Sequence, residues 1–274
     1  LDIIFVYGYF GVPEMGGVGC GYATSIVSTL MFIAMLCIVL FSKPYKKNKL
    51  FSKFNGPSIK TSIEVLKLGT PIGFGIFAEM SMYSGAAIIL APLGENIVSG
   101  HAVALSIASI VFMLPLAIGL AASTRVGNLL GEKRFTDARY SSFISVSLCF
   151  FGALFNMTLL FTLGDKLISL YTTDVLVFSI ASHLIIFAAI FQIPDGIGMG
   201  SLGALRGYKD TFMTMVFLVI SYWVFAIPFG YFLTYYGINE PMGASGMWVS
   251  MIVGLVIFAL LITSRLRKVS YHRI

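Results

Sequence analysis

Residues 174–205 form the stretch DVLVFSIASHLIIFAAIFQIPDGIGMGSLGAL, which is apolar over more than the roughly 20 residues that cross the hydrocarbon core of a bilayer. Asp195 is the one carboxylate in it away from the ends. A carboxylate at that depth is costly unless it is paired, protonated or holding a cation. The stretch therefore predicts a membrane-spanning helix with a functional acidic residue.

Six other stretches share this length and apolar character. Across the whole chain 58% of residues are hydrophobic and 11% are charged, whereas soluble domains have about 25% charged residues. Strands of alternating polarity are absent, and helices are the other way to satisfy the backbone within lipid. We predict an all-α polytopic membrane protein whose further spans lie near 17–41, 66–92, 97–124, 139–163, 212–236 and 245–264.

The basic residues predict the orientation of these spans. Seventeen of the 18 lysines and arginines fall in four regions that alternate with uncharged or acidic loops, at 42–67, 125–139, 206–209 and 265–273. Cytoplasmic loops carry such an excess, so these regions and the C-terminus are expected in the cytoplasm. The net charge of +6 then reflects topology, and no nucleic-acid partner is expected. The basic cluster at 43–53 is a candidate for contact with anionic lipid headgroups.

A polar segment divides the chain. Residues 42–65 contain Asn55-Gly56-Pro57 and predict a cytoplasmic linker between two helical bundles. We expect residues 1–41 to hold the tail of one helix (LDIIFVY, 1–7) and one complete helix. Residues 66–266 would form a six-helix bundle, and residues 267–274 a basic tail. On this interpretation the chain is the C-terminal portion of a longer protein.

A second isolated acidic residue, Glu79, lies midway along the span 66–92, near the bilayer midplane at 1.5 Å per residue. Asp195 lies in the run QIPDGIGMG, in which proline and glycines predict an irregular helix with free carbonyl groups. Phe191 is one turn before Asp195, so that its ring would add a cation–π contact.

Two interpretations of the acidic residues remain open. In the first, Glu79 and Asp195 line one cavity and alternately bind and release Na⁺ or H⁺, with carbonyl oxygens as further hard ligands. In the second, each carboxylate only forms hydrogen bonds that hold two helices together. Phe77, Met80 and Gln192 lie close to them in sequence and are predicted to line a cavity for substrate.

Enzymatic motifs are weak. Gly243-Ala244-Ser245-Gly246 matches the GxSG of rhomboid-type proteases, but those need a histidine on a later transmembrane helix, and His272 lies in the basic tail. The chain has no GxxxxGK[ST], so it contains no ATPase motif. We expect a protein that is not an enzyme and that uses no cofactor other than Na⁺ or H⁺ as a coupling ion.

Three blocks resemble the MATE (multidrug and toxic compound extrusion) transporters, most closely their NorM-type bacterial branch. They are Gly16-Gly17-Val18-Gly19 through Thr24, Leu114-Pro115 through Gly131, and Gln192 through Asp210. The resemblance implies two six-helix lobes that open alternately, of which this chain holds the end of the first and the whole of the second. It also implies a bacterial inner-membrane protein that exchanges lipophilic organic cations, such as dyes and fluoroquinolone-like drugs, for Na⁺ or H⁺.

The resemblance places Glu79 and Asp195 at the family's cation site. Two departures affect it: a tyrosine common in relatives is replaced by Phe191, and an asparagine by Ser106, which would line the cavity. Two other functions remain open. One is a lipid-linked saccharide flippase or polysaccharide exporter of the same superfamily, which would favour an arginine-lined cavity. The other is an ion channel or structural membrane subunit.

Overall fold

A computed structural model describes residues 2–8, 11, 13–41, 58–237 and 239–272. Within these residues, seven helical spans are long and apolar enough to cross a membrane, which confirms the predicted all-α architecture. The helices are α1 (Asp2–Tyr7), α2 (Gly16–Phe41), α3 (Ile59–Leu90), α4 (Glu95–Gly131), α5 (Phe135–Ile168), α6 (Val175–Gly207), α7 (Thr211–Val219), α8 (Ile227–Tyr235) and α9 (Gly243–His272).

Several helices, α3, α4, α5 and α9 among them, extend beyond their predicted spans. Helix α3 begins at Ile59, inside the stretch predicted as linker, and α9 continues to His272 through most of the predicted tail. The predicted spans counted only apolar residues, whereas a helix continues through polar residues once it has left the hydrocarbon. The rest of the predicted linker, 42–57 with its basic cluster, lies outside the described residues.

The chain divides into two compact units, Leu1–Thr61 and Ser62–Ile274. In the first unit, α1 packs against the start of α2, and the Met15 amide donates to the Phe5 carbonyl at 3.1 Å. In the second unit, α6 is the central helix, with α4, α5 and α9 packed around it. Asp195 lies on this central helix, so that its surroundings are formed by protein.

Helix α6 is α-helical from end to end, so the predicted irregularity around Asp195 is wrong. Its glycines serve close packing instead. A Cβ on Gly203 would lie 2.2 Å from the Gly119 carbonyl oxygen of α4, and a Cβ on Gly196 would lie 2.9 Å from the Cys149 carbonyl oxygen of α5. Small residues let membrane helices approach in this way. The glycines therefore bring neighbouring helices against the carboxylate-bearing one.

A proline inside α4 is compensated by a side chain of α5. Pro115 has no amide proton, which leaves the Val111 carbonyl without its helical partner. The Asn156 side-chain amide donates to this carbonyl oxygen at 2.7 Å. The same amide lies 3.4 Å from the Gln192 side-chain oxygen of α6. Asn156 thus joins three helices at one buried level.

The irregular helix of this unit lies between α7 and α8, where Ile220–Ala226 forms a π-helix just before Pro228. The Ser250 hydroxyl of α9 donates to the Ala226 carbonyl oxygen. Two hydrogen bonds join α3 to the π-helix and to α8. The Trp223 indole donates to the Ser81 hydroxyl at 2.9 Å, and the Tyr235 hydroxyl donates to the Ile89 carbonyl at 2.7 Å. These two hydrogen bonds hold α3, the helix that carries Glu79, in its position within the unit.

Candidate functional site

A cavity of about 400 Å³ lies between α3, α4 and α6, within the second unit. Helix α4 contributes one continuous face, and α3 and α6 contribute the ionisable groups. The wall is mostly apolar and aromatic, with a few polar groups, as is usual for small-molecule sites. Its residues are Glu79, Met80, Tyr83, Leu105, Ser106, Ala108, Ser109, Phe112, Met113, Leu116, Phe191 and Asp195.

Both predicted carboxylates line this cavity. Asp195 is 6% exposed and Glu79 is partly buried. Among the residues that the structure describes, neither carboxylate has a hydrogen-bond donor or an ion-pair partner within bonding distance. The interpretation in which each acid only forms hydrogen bonds that hold two helices together therefore has no contact to support it. A carboxylate in such surroundings requires a proton or a cation.

Phe191, Met80 and Ser106 also line the cavity. The Ser106 hydroxyl donates to the Ala102 carbonyl at 2.8 Å, and the Ser109 hydroxyl donates to the Ser106 carbonyl at 2.7 Å. A hydroxyl whose proton is used in this way keeps its oxygen lone pairs for another partner. Two serines of α4 thus offer oxygen ligands at the cavity wall.

Two predicted residues lie elsewhere. Phe77 is 55% exposed, and its ring packs against Trp223 with centroids 6.1 Å apart, since a residue two positions before Glu79 points to another face of the helix. Gln192 is buried and does not line the cavity. Its side-chain amide lies 3.5 Å from the Ala108 carbonyl oxygen, and its side-chain oxygen faces Asn156. A role for either residue in substrate contact stays a prediction.

Tyr83 is a cavity residue that the sequence interpretation did not select. It lies one turn after Glu79 on α3, and its ring packs against Phe191 with centroids 6.4 Å apart. The spacing of four residues from Glu79 is the signal that predicts a shared face. Its phenol adds an oxygen to a cavity where Phe191 has none.

The donor set suits a small hard cation. Na⁺ prefers oxygen ligands, by the reasoning that applies to other hard cations. The cavity offers the carboxylates of Glu79 and Asp195 and the hydroxyls of Tyr83, Ser106 and Ser109. The same carboxylates can instead take up protons. The cavity wall contains no lysine or arginine, and the positive charge that acts on Glu79 from outside the wall is Arg206 of α6.

The family model described as MatE matches residues 71–232, a range that includes both carboxylates. The chain belongs to the MatE family. The seven membrane-length helices in its described ranges make it a multi-pass membrane member of that family. The resemblance seen in the sequence is thereby confirmed.

Relatives of this MatE chain carry multidrug resistance names. "Multidrug resistance protein NorM" of Vibrio vulnificus (strain YJ016) is 41% identical over 267 residues, which are 97% of this chain and 59% of the relative. "Multidrug resistance protein PmpM" of Pseudomonas aeruginosa is 37% identical over 269 residues, which are 98% of this chain and 56% of the relative. The chain therefore spans somewhat more than half the length of these relatives.

Solved structures share the fold. The crystal structure of the eukaryotic MATE transporter AtDTX14 aligns with a TM-score of 0.84 over 100% of this chain and 62% of that one, at 20% sequence identity. An outward-facing MATE family transporter aligns with a TM-score of 0.82, also at 20% identity. The MATE-like fold predicted from the sequence is confirmed.

Proposed function

We propose that this chain forms the cation-coupling part of a secondary antiporter that exports lipophilic organic cations in exchange for Na⁺ or H⁺. One observation carries the proposal: Glu79 and Asp195, from two different helices, line the same cavity, and neither has a bonding partner among the described residues. Two such carboxylates are a binding site for positive charge. The multidrug resistance names of the relatives support export as the direction of transport.

The cavity has the chemistry for two kinds of cation. Its carboxylates and hydroxyls suit Na⁺ or protons, and its apolar wall suits the body of a lipophilic cation. Phe112, Met113 and Phe191 give that wall aromatic and thioether surface, which adapts to ligands of different shape. A volume of about 400 Å³ lies within the usual range for small-molecule sites, so this lobe can contact a dye-sized substrate.

Antiport follows if the two kinds of cation compete for the same charge. A ligand shifts a conformational equilibrium only by the difference between its affinities for the two states. Na⁺ or protons bound at Glu79 and Asp195 would favour one arrangement of the transporter. Release of these ions, on binding of the organic cation, would favour the other. The gradient of Na⁺ or H⁺ across the membrane would then drive export of the organic cation.

Export of a lipid-linked saccharide is the less favoured function. An anionic pyrophosphate needs arginine or lysine partners, and the described cavity has none on its wall. An organic cation, in contrast, finds two carboxylates there. The charge of the cavity therefore favours cationic cargo.

Efflux of ethidium from cells that express the full-length protein tests this proposal. Asp195→Asn and Glu79→Gln should each reduce efflux at least about tenfold, because each removes charge that binds the coupling ion. Asp165→Asn is the matched control, since Asp165 accepts a hydrogen bond from Ser182 at 2.8 Å and does not line the cavity. Efflux that is unchanged in both cavity variants would refute the site.

We also propose that the protein lies in the bacterial inner membrane with its C-terminus in the cytoplasm. The basic ends of the helices support this orientation. Lys268→Cys and Lys166→Cys, each made in a cysteine-free background of the full-length protein, test it with a membrane-impermeant maleimide on intact cells. Labelling is expected at position 166 only, and labelling at position 268 would show the opposite orientation.

A further inference from the structure

A second and larger cavity, of about 890 Å³, opens on the far side of α6 from α3. Helices α5 and α9 flank α6 and form its walls, and Ile193, Pro194 and Ile197 of α6 form its floor. It shares no lining residue with the carboxylate cavity. We refer to it as the α5–α9 groove. Its occupant must fit an apolar floor and the charge at one end.

The charged end of the groove is formed by two arginines. Arg139 belongs to the second turn of α5 and Arg267 to the last turns of α9, which are the ends of these helices on the same side of the membrane. The Arg139 guanidinium stacks over the Tyr271 ring at 3.3 Å from its centroid. Stacking fixes the plane of the guanidinium and leaves its N–H groups at the edge free to donate.

No acidic side chain in the described part of the chain pairs with these arginines. The groove has no acidic lining residue, and among the described residues neither Arg139 nor Arg267 forms an ion pair. By comparison, the nearby Arg265 is bound to Asp210 at 2.6 Å, and Arg134 contacts Glu132 and Asp137. Uncompensated guanidinium groups next to a membrane surface attract phosphate.

The length of the groove matches one leaflet of a bilayer. Eleven residues separate Val256, at its deep end, from Arg267 at its charged end. At 1.5 Å per residue this distance is about 16 Å. Half of the hydrocarbon core is about 15 Å. An acyl chain that starts at the arginines therefore ends near the midplane, where Pro194 and Asp195 lie.

We propose that the α5–α9 groove binds an anionic phospholipid of the leaflet next to the basic helix ends. Its phosphate contacts Arg139 and Arg267, and an acyl chain lies along Ile193, Ile197 and Leu260. Leu260 is 67% exposed, which supplies apolar surface for such a chain. The lipid thus packs against the back of the α6 segment whose other side presents Asp195 to the carboxylate cavity. The lipid composition of the membrane would in this way affect the packing of α6, the helix that carries Asp195.

Native mass spectrometry of the purified full-length protein tests this proposal, with phosphatidylglycerol and phosphatidylcholine of the same acyl chains. The wild type should retain phosphatidylglycerol and release phosphatidylcholine. The double variant R139Q/R267Q should bind phosphatidylglycerol about thirtyfold more weakly, since each arginine near a membrane surface contributes roughly fivefold. Equal retention of both lipids by the wild type would overturn the proposal.

Two further variants separate the groove from general effects of charge and folding. R125Q/R134Q removes two arginines that lie outside the groove and should retain phosphatidylglycerol like the wild type. Leu260→Trp keeps both groove arginines, fills the apolar part and should weaken binding at least fivefold. An equal loss in R125Q/R134Q, or unchanged binding in Leu260→Trp, would place the lipid elsewhere.

Discussion

The rings of Tyr83 and Phe191 pack against each other between α3 and α6, with centroids 6.4 Å apart and planes inclined by 50°. Tyr83 lies one turn after Glu79, and Phe191 lies one turn before Asp195. The ring pair therefore joins the two helices at the level of the carboxylates. It lies beside both carboxylates and gives the cavity part of its aromatic wall.

Phe191→Ala should weaken ion coupling. Loss of the ring pair removes a contact worth about 0.5–1.5 kcal/mol and lets α3 and α6 change their separation. The concentration of the coupling ion, Na⁺ or H⁺, that gives half-maximal ethidium efflux should rise about three- to tenfold in proteoliposomes. Phe151→Ala on the exposed face of α5 is the control, since Phe151 is 63% exposed and does not line the cavity. An unchanged midpoint in Phe191→Ala would show that the ring pair does not contribute to binding of the coupling ion.

Asn156→Leu should destabilise the protein. It leaves the Val111 carbonyl unpaired beside Pro115 and removes the partner of Gln192. An unpaired buried polar group costs about 1–3 kcal/mol, so the thermal unfolding midpoint in detergent should fall. Thr158→Val is the matched control on α5, because Thr158 is exposed and bonds only to its own helix. If the two variants have the same thermal unfolding midpoint, the hydrogen bond from Asn156 to the Val111 carbonyl does not contribute to stability.

Gly203→Ala should disturb the contact of α4 with α6. The added Cβ would lie 2.2 Å from the Gly119 carbonyl oxygen, so the helices must separate, at a cost of about 1–3 kcal/mol or more. Gly127→Ala is the control on α4, where the nearest atom outside the glycine's own helix is the Gly207 carbonyl oxygen at 3.9 Å. There alanine should be neutral or stabilise by about 0.5–1 kcal/mol. Equal melting temperatures would show that α4 and α6 are not this close.

The seven spans were predictable from the sequence because apolar length is set by the bilayer and needs no tertiary information. Glu79 and Asp195 were predictable for a related reason: an isolated carboxylate at membrane depth is exceptional whatever surrounds it. Their presence in one cavity required the structure, since α3 and α6 meet only through the packing of the whole unit.

Local irregularity was not predictable in the same way. The proline and glycines around Asp195 suggested a broken helix, but their small size serves contacts with α4, α5 and α9, which no single segment reveals. The π-helix at Ile220–Ala226 lies in an apolar stretch with little to distinguish it in sequence. The helical face also mattered: Phe77 and Tyr83 flank Glu79, and only Tyr83 shares its side of α3.

Ethidium efflux from proteoliposomes of the full-length protein is the most direct test of ion coupling at Glu79 and Asp195. A Na⁺ gradient is imposed with pH equal on both sides, and then a proton gradient without Na⁺. At least one gradient should drive efflux, and the gradient that does so identifies the coupling ion. Asp195→Asn should abolish this efflux, whereas Asp165→Asn should not. Gradient-driven efflux that persists in Asp195→Asn, or its absence under both gradients in the wild type, would contradict ion coupling at these carboxylates.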